Sequence, residues 1–232
     1  LTGDARRTLE ELTAALGDWR AATAWGERTR SLVTEWNAAV DHATAPGNLE
    51  LPTDAQVVGA VNRAAGADGI VVCAAGGLPG ELHKLWKAPR PGGYHMEYGY
   101  SCMGYEIAGA LGIKMAEPER DVICMVGDGS YMMANSELAT AAMMGIAFTV
   151  VVTDNRGFGC INRLQMATGG ANFNNLLKDA YHADMPEIDF AAHAASMGAV
   201  ARKAQSIAEL ESHLEAAKAD TRTSVIVIDT DP

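Results

Sequence analysis

Two apolar runs that end abruptly in small and polar residues constrain the fold of this chain more than any other feature. Val122–Val126 is followed closely by Asp128, and Val150–Val152 is followed closely by Asn155. Short apolar runs between helical patterns are typical of strands that are buried on both faces of a parallel sheet. Asp128 and Asn155 are therefore expected just past the carboxyl ends of two strands, where open α/β sheets bind their ligands.

The spacing and chemistry of these residues favour a site for a metal ion and a diphosphate. Asn155 follows Asp128 by 27 positions, which is long enough for a crossover helix and the return strand. A carboxylate, an amide oxygen and a nearby backbone carbonyl suit an oxygen-preferring cation such as Mg²⁺. Gly127 and Gly129 on either side of the aspartate allow a diphosphate to approach the backbone closely.

The rest of the chain alternates between strand-like and helix-like segments. This alternation predicts an α/β fold in which a parallel β-sheet of five to six strands is flanked by helices on both faces. Besides the two runs above, the predicted strands are Ile70–Ala75, His95–Tyr98, Gly198–Ala201 and Ser224–Asp229.

The first part of the chain has a different pattern. Residues 4 to about 43 are expected to form a helical arm that carries Trp19, Trp25 and Trp36 among charged residues. This arm either docks against another surface or packs on its own domain. We expect residues 1–52 to be the arm and a Pro/Gly linker from a preceding domain, and residues 53–232 to be the compact domain. The chain begins at Leu1 instead of Met, which suggests the C-terminal part of a longer polypeptide.

Charge and composition exclude several classes of function. The net charge of −11 argues against a nucleic-acid partner. The sequence has no apolar run of the roughly 18 residues that a transmembrane helix needs. The four cysteines show no C-x-x-C spacing, so we expect reduced, buried thiols in a cytoplasmic protein.

Three blocks of the sequence together resemble the thiamine-diphosphate-dependent enzyme family. Residues 127–130 read Gly-Asp-Gly-Ser, Asn155 follows at the family's spacing, and residues 99–105 resemble the upstream segment that contacts the cofactor rings. The resemblance covers about residues 50–232 and implies the diphosphate-binding domain of that fold, with thiamine diphosphate and Mg²⁺ as cofactors. Asp154 departs from the pattern, because many members have Asn there.

The resemblance implies a role for each candidate residue. Asp128, Asn155 and the backbone carbonyl of Gly157 would bind the metal. Ser101 and Met103 would contact the rings, with Met103 holding the cofactor in its bent conformation. The remaining cofactor-binding candidates are expected near the diphosphate: Gly127, Gly129, Ser130 and, after the first strand, Gly76, Gly77 and Leu78. Simpler interpretations stay open: Asp128 as a helix cap, Met103 as a core residue and the glycines as a plain turn. Arg156 and Arg163 either hold a polar substrate or face solvent, and His95 is either a substrate contact or a structural histidine.

The family's activating glutamate comes from a separate pyrimidine-binding domain, and the glutamates of this chain lack its sequence context. We therefore assign no catalytic residue here and expect a missing domain of the same or a neighbouring subunit. Residues 131–138 and 154–165 further resemble the trihydroxycyclohexane-1,2-dione hydrolases of inositol catabolism. This resemblance implies a cytosolic homo-oligomer that cleaves a C–C bond of a cyclic diketone. The alternatives are an enzyme like acetohydroxyacid synthase or a 2-oxoacid decarboxylase, and a non-catalytic cofactor-binding or assembly module.

Overall fold

The computed structural model describes residues 2–47, 50–185 and 187–232, so Asn48 of the predicted linker lies outside the described residues. The chain divides into two compact units, one ending at His42 and one beginning at Ala43. The first unit is made of helix α1 (Ala5–Leu16) and most of helix α2 (Thr23–Ala43). The predicted cap of α1 is present, because the Asp4 side chain accepts a hydrogen bond from the Arg7 N–H.

The second unit is built on a sheet of six parallel strands in the order β2-β1-β3-β4-β6-β5. The predicted fold class is confirmed, at the upper end of the expected strand number. The strands are β1 (Ile70–Cys73), β2 (Tyr94–Met96), β3 (Val122–Gly127), β4 (Thr149–Asp154), β5 (Val200–Ala204) and β6 (Ser224–Asp229).

Helices cover both faces of this sheet. Every residue of β1 is buried, as are five of the six in β3, β4 and β6, and successive side chains of a strand point to opposite faces. The helices are α3 (Asp54–Ala65), α4 (Leu78–Leu85), α5 (Tyr105–Ala116), α6 (Asp128–Met133), α7 (Glu137–Met144), α8 (Gly159–Ala167), α9 (Phe190–Ser196) and α10 (Ile207–Ala217), with a 3-10 turn at Leu177–Asp179.

Tyr131 anchors the core on one face of the sheet, where the central strands pack against α5, α7 and α9. Its ring is fully buried and stacks edge-on against Phe190, with 5.5 Å between the ring centroids. Its hydroxyl lies 3.0 Å from Nδ1 of His193. The hydrogen bond satisfies the one polar atom of this side chain, so that α6 is fixed to α9 next to the predicted site.

Some sequence-based expectations were wrong in detail. Strand β5 begins two residues later than predicted and continues through Arg202 and Lys203. Helices α6 and α8 were not predicted. The expectation that the cysteines are buried is wrong for Cys102, which is exposed, and for Cys160, which is half-buried. No helix among the described residues is both long and apolar enough to cross a membrane.

Candidate functional site

The loops that follow β1, β3 and β4 enclose a cavity of about 260 Å³ at the carboxyl edge of the sheet. The cavity lies where the strand order reverses, because the chain passes from β1 to β2 on one side and β3 is added on the other side of β1. All eleven residues that the sequence predicts for the cofactor or the metal line it: Gly76, Gly77, Leu78, Ser101, Met103, Gly127, Asp128, Gly129, Ser130, Asn155 and Gly157.

Asp128 is the first residue of α6, immediately after β3. Its side chain is only 7% exposed, and one carboxylate oxygen, Oδ2, accepts a hydrogen bond of 2.9 Å from the Gly157 N–H. Burial raises the pKa of this carboxyl to about 6, with a contribution from the nearby Asp154 carboxylate and against the opposing effect of backbone N–H donors. A cation placed beside a buried carboxyl stabilises its ionised form.

Asn155 follows β4 and places a second side-chain oxygen, besides those of Asp128, at the cavity. Its Oδ1 is buried and has no hydrogen-bond partner within the part of the chain that the structure describes. A buried polar atom without a partner costs about 1–3 kcal/mol, so this oxygen is suited to a ligand. The backbone around it is held in place because Arg156, at φ 58°, donates its N–H to Oδ1 of Asp154 (3.0 Å).

Gly157 lies where only a glycine fits. Its φ is 152°, and a Cβ at this position would lie 2.5 Å from the carbonyl oxygen of Asn175 and 2.8 Å from Cα of Leu176. The residue forms a bridge with Leu176, whose flanking hydrogen bonds use the Phe158 N–H and the Arg156 carbonyl. The Gly157 carbonyl takes part in neither bond. The polar stretch from Thr168 to Asn175 is thus attached at its end to the loop that contains Gly157.

The segment before α5 reaches the cavity from the opposite side. Ser101 has a positive φ of 51° and Gly104 one of 94°. Glu97 holds this segment, because its carboxylate accepts hydrogen bonds from the N–H groups of Cys102 (2.7 Å) and Tyr100 (3.1 Å). These two hydrogen bonds lower the pKa of Glu97, and the one from the Cys102 N–H has the larger effect.

Arg163 and Asp54 close the cavity beside the loop after β1. Their side chains form an ion pair of 3.2 Å, and a Cβ added to Gly77 would lie 2.5 Å from the Arg163 guanidinium. Burial raises the pKa of Asp54, and the positive charge of Arg163 opposes this shift. Of the described residues that line the cavity, Arg163 is the one with a cationic side chain.

Besides Asp54, sequence reasoning missed Phe158 and Glu106 at this site. Phe158 lies over Gly129, where an added Cβ would be 2.8 Å from its ring and 3.7 Å from Cε of Met103. Glu106 is 1% exposed and accepts hydrogen bonds from three segments around the cavity. Neither has a recognisable motif of its own. His95 is exposed on β2 and is not among the lining residues.

A second, larger cavity of about 550 Å³ lies at the amino-terminal edge of the sheet. Three of its charged side chains already have partners: Lys114 donates to two carbonyl oxygens, Lys218 pairs with Glu215, and Asp220 pairs with Arg202. The carboxyl-edge cavity is smaller but contains the buried carboxylate and the unpartnered amide oxygen, which makes it the better candidate.

Comparison with known proteins agrees with this location. Residues 74–228 match the family model of the thiamine pyrophosphate enzyme, C-terminal TPP binding domain. The chain is 38% identical to the 3D-(3,5/4)-trihydroxycyclohexane-1,2-dione hydrolase of Shouchella clausii (strain KSM-K16), over 97% of this chain and 39% of that protein. It is 46% identical to the protein of the same name from Bacillus thuringiensis (strain Al Hakam), over 76% of this chain and 28% of that one. The chain therefore spans well under half the length of these relatives.

A solved structure shows the same fold. The Rhodococcus jostii RHA1 thiamine diphosphate-dependent 4-hydroxybenzoylformate decarboxylase aligns over 81% of this chain and 34% of that chain, with a TM-score of 0.71 and 21% sequence identity. With the family model covering the loops that form the cavity, the chain belongs to the thiamine pyrophosphate enzymes, as a C-terminal thiamine-pyrophosphate-binding domain.

Proposed function

We propose that this chain is the cofactor-binding part of a thiamine-diphosphate- and Mg²⁺-dependent hydrolase that cleaves a C–C bond of trihydroxycyclohexane-1,2-dione. The reaction would belong to myo-inositol catabolism, and the whole protein would be a cytosolic homo-oligomer. The observation that carries the proposal is the cavity in which a buried carboxylate and an unpartnered amide oxygen meet. The names of the relatives at 38% and 46% identity support the substrate.

The metal would be held by Asp128, Asn155 and the Gly157 carbonyl. All three donors are oxygens, as Mg²⁺ prefers, and the Asp128 carboxylate and the Gly157 backbone are already joined by a hydrogen bond. A divalent cation would relieve the repulsion between the carboxylates of Asp128 and Asp154, which helps to raise the pKa of Asp128.

The diphosphate would lie against backbone N–H groups on two loops. Gly129 and Ser130 would donate from the start of α6, and Gly76, Gly77 and Leu78 from the loop that leads into α4. The positive charge of Arg163, which lies beside Gly77, would offset part of the diphosphate charge. This charge matters because two other ionisable side chains that line the described cavity, Asp54 and Asp128, are acidic.

The rings would lie beside Ser101 and Met103. Met103 packs near Gly129, where Phe158 also lies, so that apolar groups exclude water from this end of the cavity. When bound, the cofactor supplies the carbanion stabilisation that C–C cleavage needs. The volume of about 260 Å³ is below the roughly 300–1,000 Å³ of ordinary ligand sites, which agrees with a site completed by another domain. We propose that this domain also carries the activating glutamate.

The test is an assay of the complete natural protein, loaded with thiamine diphosphate and Mg²⁺, on the cyclic diketone and on pyruvate. Hydrolysis of the diketone with kcat/KM at least about 100-fold above that for pyruvate, equivalent to roughly 3 kcal/mol, supports the proposal. Acetolactate formation or decarboxylation of pyruvate as the faster reaction would favour the alternative enzymes.

Two controls separate the remaining possibilities. Asp128→Ala should abolish turnover and Mg²⁺-dependent cofactor binding, whereas Glu215→Gln, at an exposed position on α10, should change neither. A cell that keeps the protein's function with Asp128→Ala would indicate a non-catalytic module. The 232-residue chain alone should bind the cofactor weakly and hydrolyse nothing; measurable turnover by it would contradict a site completed from elsewhere.

A further inference from the structure

Glu106, in the first turn of α5, is a buried carboxylate to which the proposed activity assigns no role. Its side chain is 1% exposed. Burial of a carboxylate is costly unless donors surround it, and here it accepts hydrogen bonds from the Ala75 N–H (3.3 Å), the Gly104 N–H (2.9 Å) and the Ser130 hydroxyl (2.8 Å).

The three donors belong to three different parts of the cavity wall. Ala75 directly precedes Gly76 in the loop after β1, Gly104 directly follows Met103 before α5, and Ser130 lies in α6 after β3. One carboxylate therefore joins the two loops proposed for the diphosphate to the segment proposed for the rings.

The Ser130 hydroxyl belongs to this cluster. Its Oγ lies 2.8 Å from both carboxylate oxygens of Glu106 and accepts a hydrogen bond of 2.8 Å from the Gly104 N–H. A hydroxyl has one proton to donate, and that proton goes to Glu106. Ser130 consequently offers a diphosphate its backbone N–H. Its side chain fixes the segment proposed for the rings, residues 99–105, which we call the ring segment.

The ring segment needs such support. It contains positive φ angles at Ser101 and Gly104, and a non-glycine residue such as Ser101 keeps this strained conformation only when its surroundings enforce it. Glu97 binds one end of the segment through two N–H groups, and Glu106 with Ser130 binds the other through the Gly104 N–H.

We propose that Glu106 is a positioning residue that sets the distance between the ring segment and the diphosphate loops, so that a single cofactor engages both. The proposal rests on thiamine diphosphate being the ligand of this cavity. Glu106 itself is not among the described residues that line the cavity. Its effect is therefore greatest for a ligand that spans both parts of the site, and small for one that occupies the diphosphate loops alone.

Glu106→Gln tests this with little change of shape. In either orientation the amide NH₂ group of the glutamine faces a backbone N–H, so that Ala75 loses its acceptor or Gly104 keeps only Oγ of Ser130. Glu117→Gln is the matched control, because Glu117 is exposed at the other end of the same helix. The complete natural protein is titrated by calorimetry with Mg²⁺–thiamine diphosphate and, separately, with Mg²⁺–pyrophosphate.

A hydrogen bond to a charged group contributes about 1.5–3 kcal/mol, which corresponds to roughly 10- to 100-fold in affinity. We expect Glu106→Gln to weaken thiamine diphosphate binding by that factor and pyrophosphate binding by less than about threefold. Hydrogen exchange at residues 99–105 should be faster in the variant. Glu117→Gln should match the wild type in all three measurements.

Ser130→Ala is a second variant, should Glu106→Gln fail to fold. It keeps the backbone N–H and removes one donor to Glu106, so the same selective loss is expected at roughly 3- to 10-fold. Equal weakening of both ligands, or no weakening of either, would overturn the positioning role while leaving the cofactor assignment intact. A wild-type protein that binds pyrophosphate but not thiamine diphosphate would instead overturn the proposed function, and the positioning role with it.

Discussion

Replacing Asp128 with asparagine should stabilise the metal-free protein at neutral pH although it removes one of the proposed metal ligands. The pKa of Asp128 is raised from 3.8 to about 6 by burial and by the Asp154 carboxylate. Because the folded state holds the proton more tightly, this carboxyl contributes stability that is fully present below pH 3.8 and is lost as the pH rises through about 6. About two pKa units at roughly 1.36 kcal/mol each give a total loss of about 3 kcal/mol.

The asparagine in the variant resembles the protonated aspartate, because its amide oxygen can still accept from the Gly157 N–H. The stability advantage of Asp128→Asn over the wild type should therefore grow by about 2 kcal/mol between about pH 4.5 and about pH 7.5. For a unit of this size that is roughly 4–8 °C in the melting temperature. The measurement is thermal unfolding of both proteins in EDTA at several pH values.

Added Mg²⁺ should reverse the order at about pH 7.5, since it stabilises only the protein that binds it. Asp184→Asn, which replaces an exposed carboxylate, serves as the control and should follow the wild type at every pH. An advantage of Asp128→Asn that stays constant with pH would refute the argument, as would a variant that is less stable than the wild type at neutral pH.

Four further substitutions test the core and the contacts around the site by thermal unfolding or titration. Gly157→Ala should lower the free energy of unfolding by at least about 2 kcal/mol, because its Cβ would collide with backbone atoms of the facing segment. Gly112→Ala, in open space on α5, should instead raise it by up to about 1 kcal/mol. Similar melting temperatures of the two variants would contradict this. Leu138→Ala, at a fully buried position, should cost about 2–5 kcal/mol, and a cost below about 1 kcal/mol would show that the core collapses around it. Arg163→Met should raise the pKa of Asp54 further, since the arginine now lowers it; an unchanged Asp54 titration by NMR would show that the ion pair is absent in solution.

The central strands could be predicted from the sequence because burial on both faces leaves continuous apolar runs. β5 was placed too early because it is an edge strand whose later residues are charged. Arg202 there pairs with Asp220, and Lys203 pairs with Asp229. Helix α8 was missed because its first turn contains Gly159 and its polar face resembles a loop.

The residues of the site were predictable because the apolar runs show where the strands end, and the carboxyl ends of parallel strands lie at one edge of a sheet. The role of Glu106 was not predictable. Two of its donors lie 31 and 24 positions away in the chain, and only the folded sheet brings them together. The residues next to Glu106 in the sequence indicated that it is not the activating glutamate that the family resemblance implies. They did not indicate that its side chain is buried.

The strand order also has a consequence for the order of events during synthesis. β6 comes after β5 in the chain, yet it lies between β4 and β5, pairing Ser224 with Thr149 on one side and with Val200 on the other. A nascent chain that has reached β5 thus has no native neighbour for that strand in the sheet. Contacts between residues so distant in sequence form slowly, so a ribosome-bound intermediate exposes one edge of β4 until β6 has emerged.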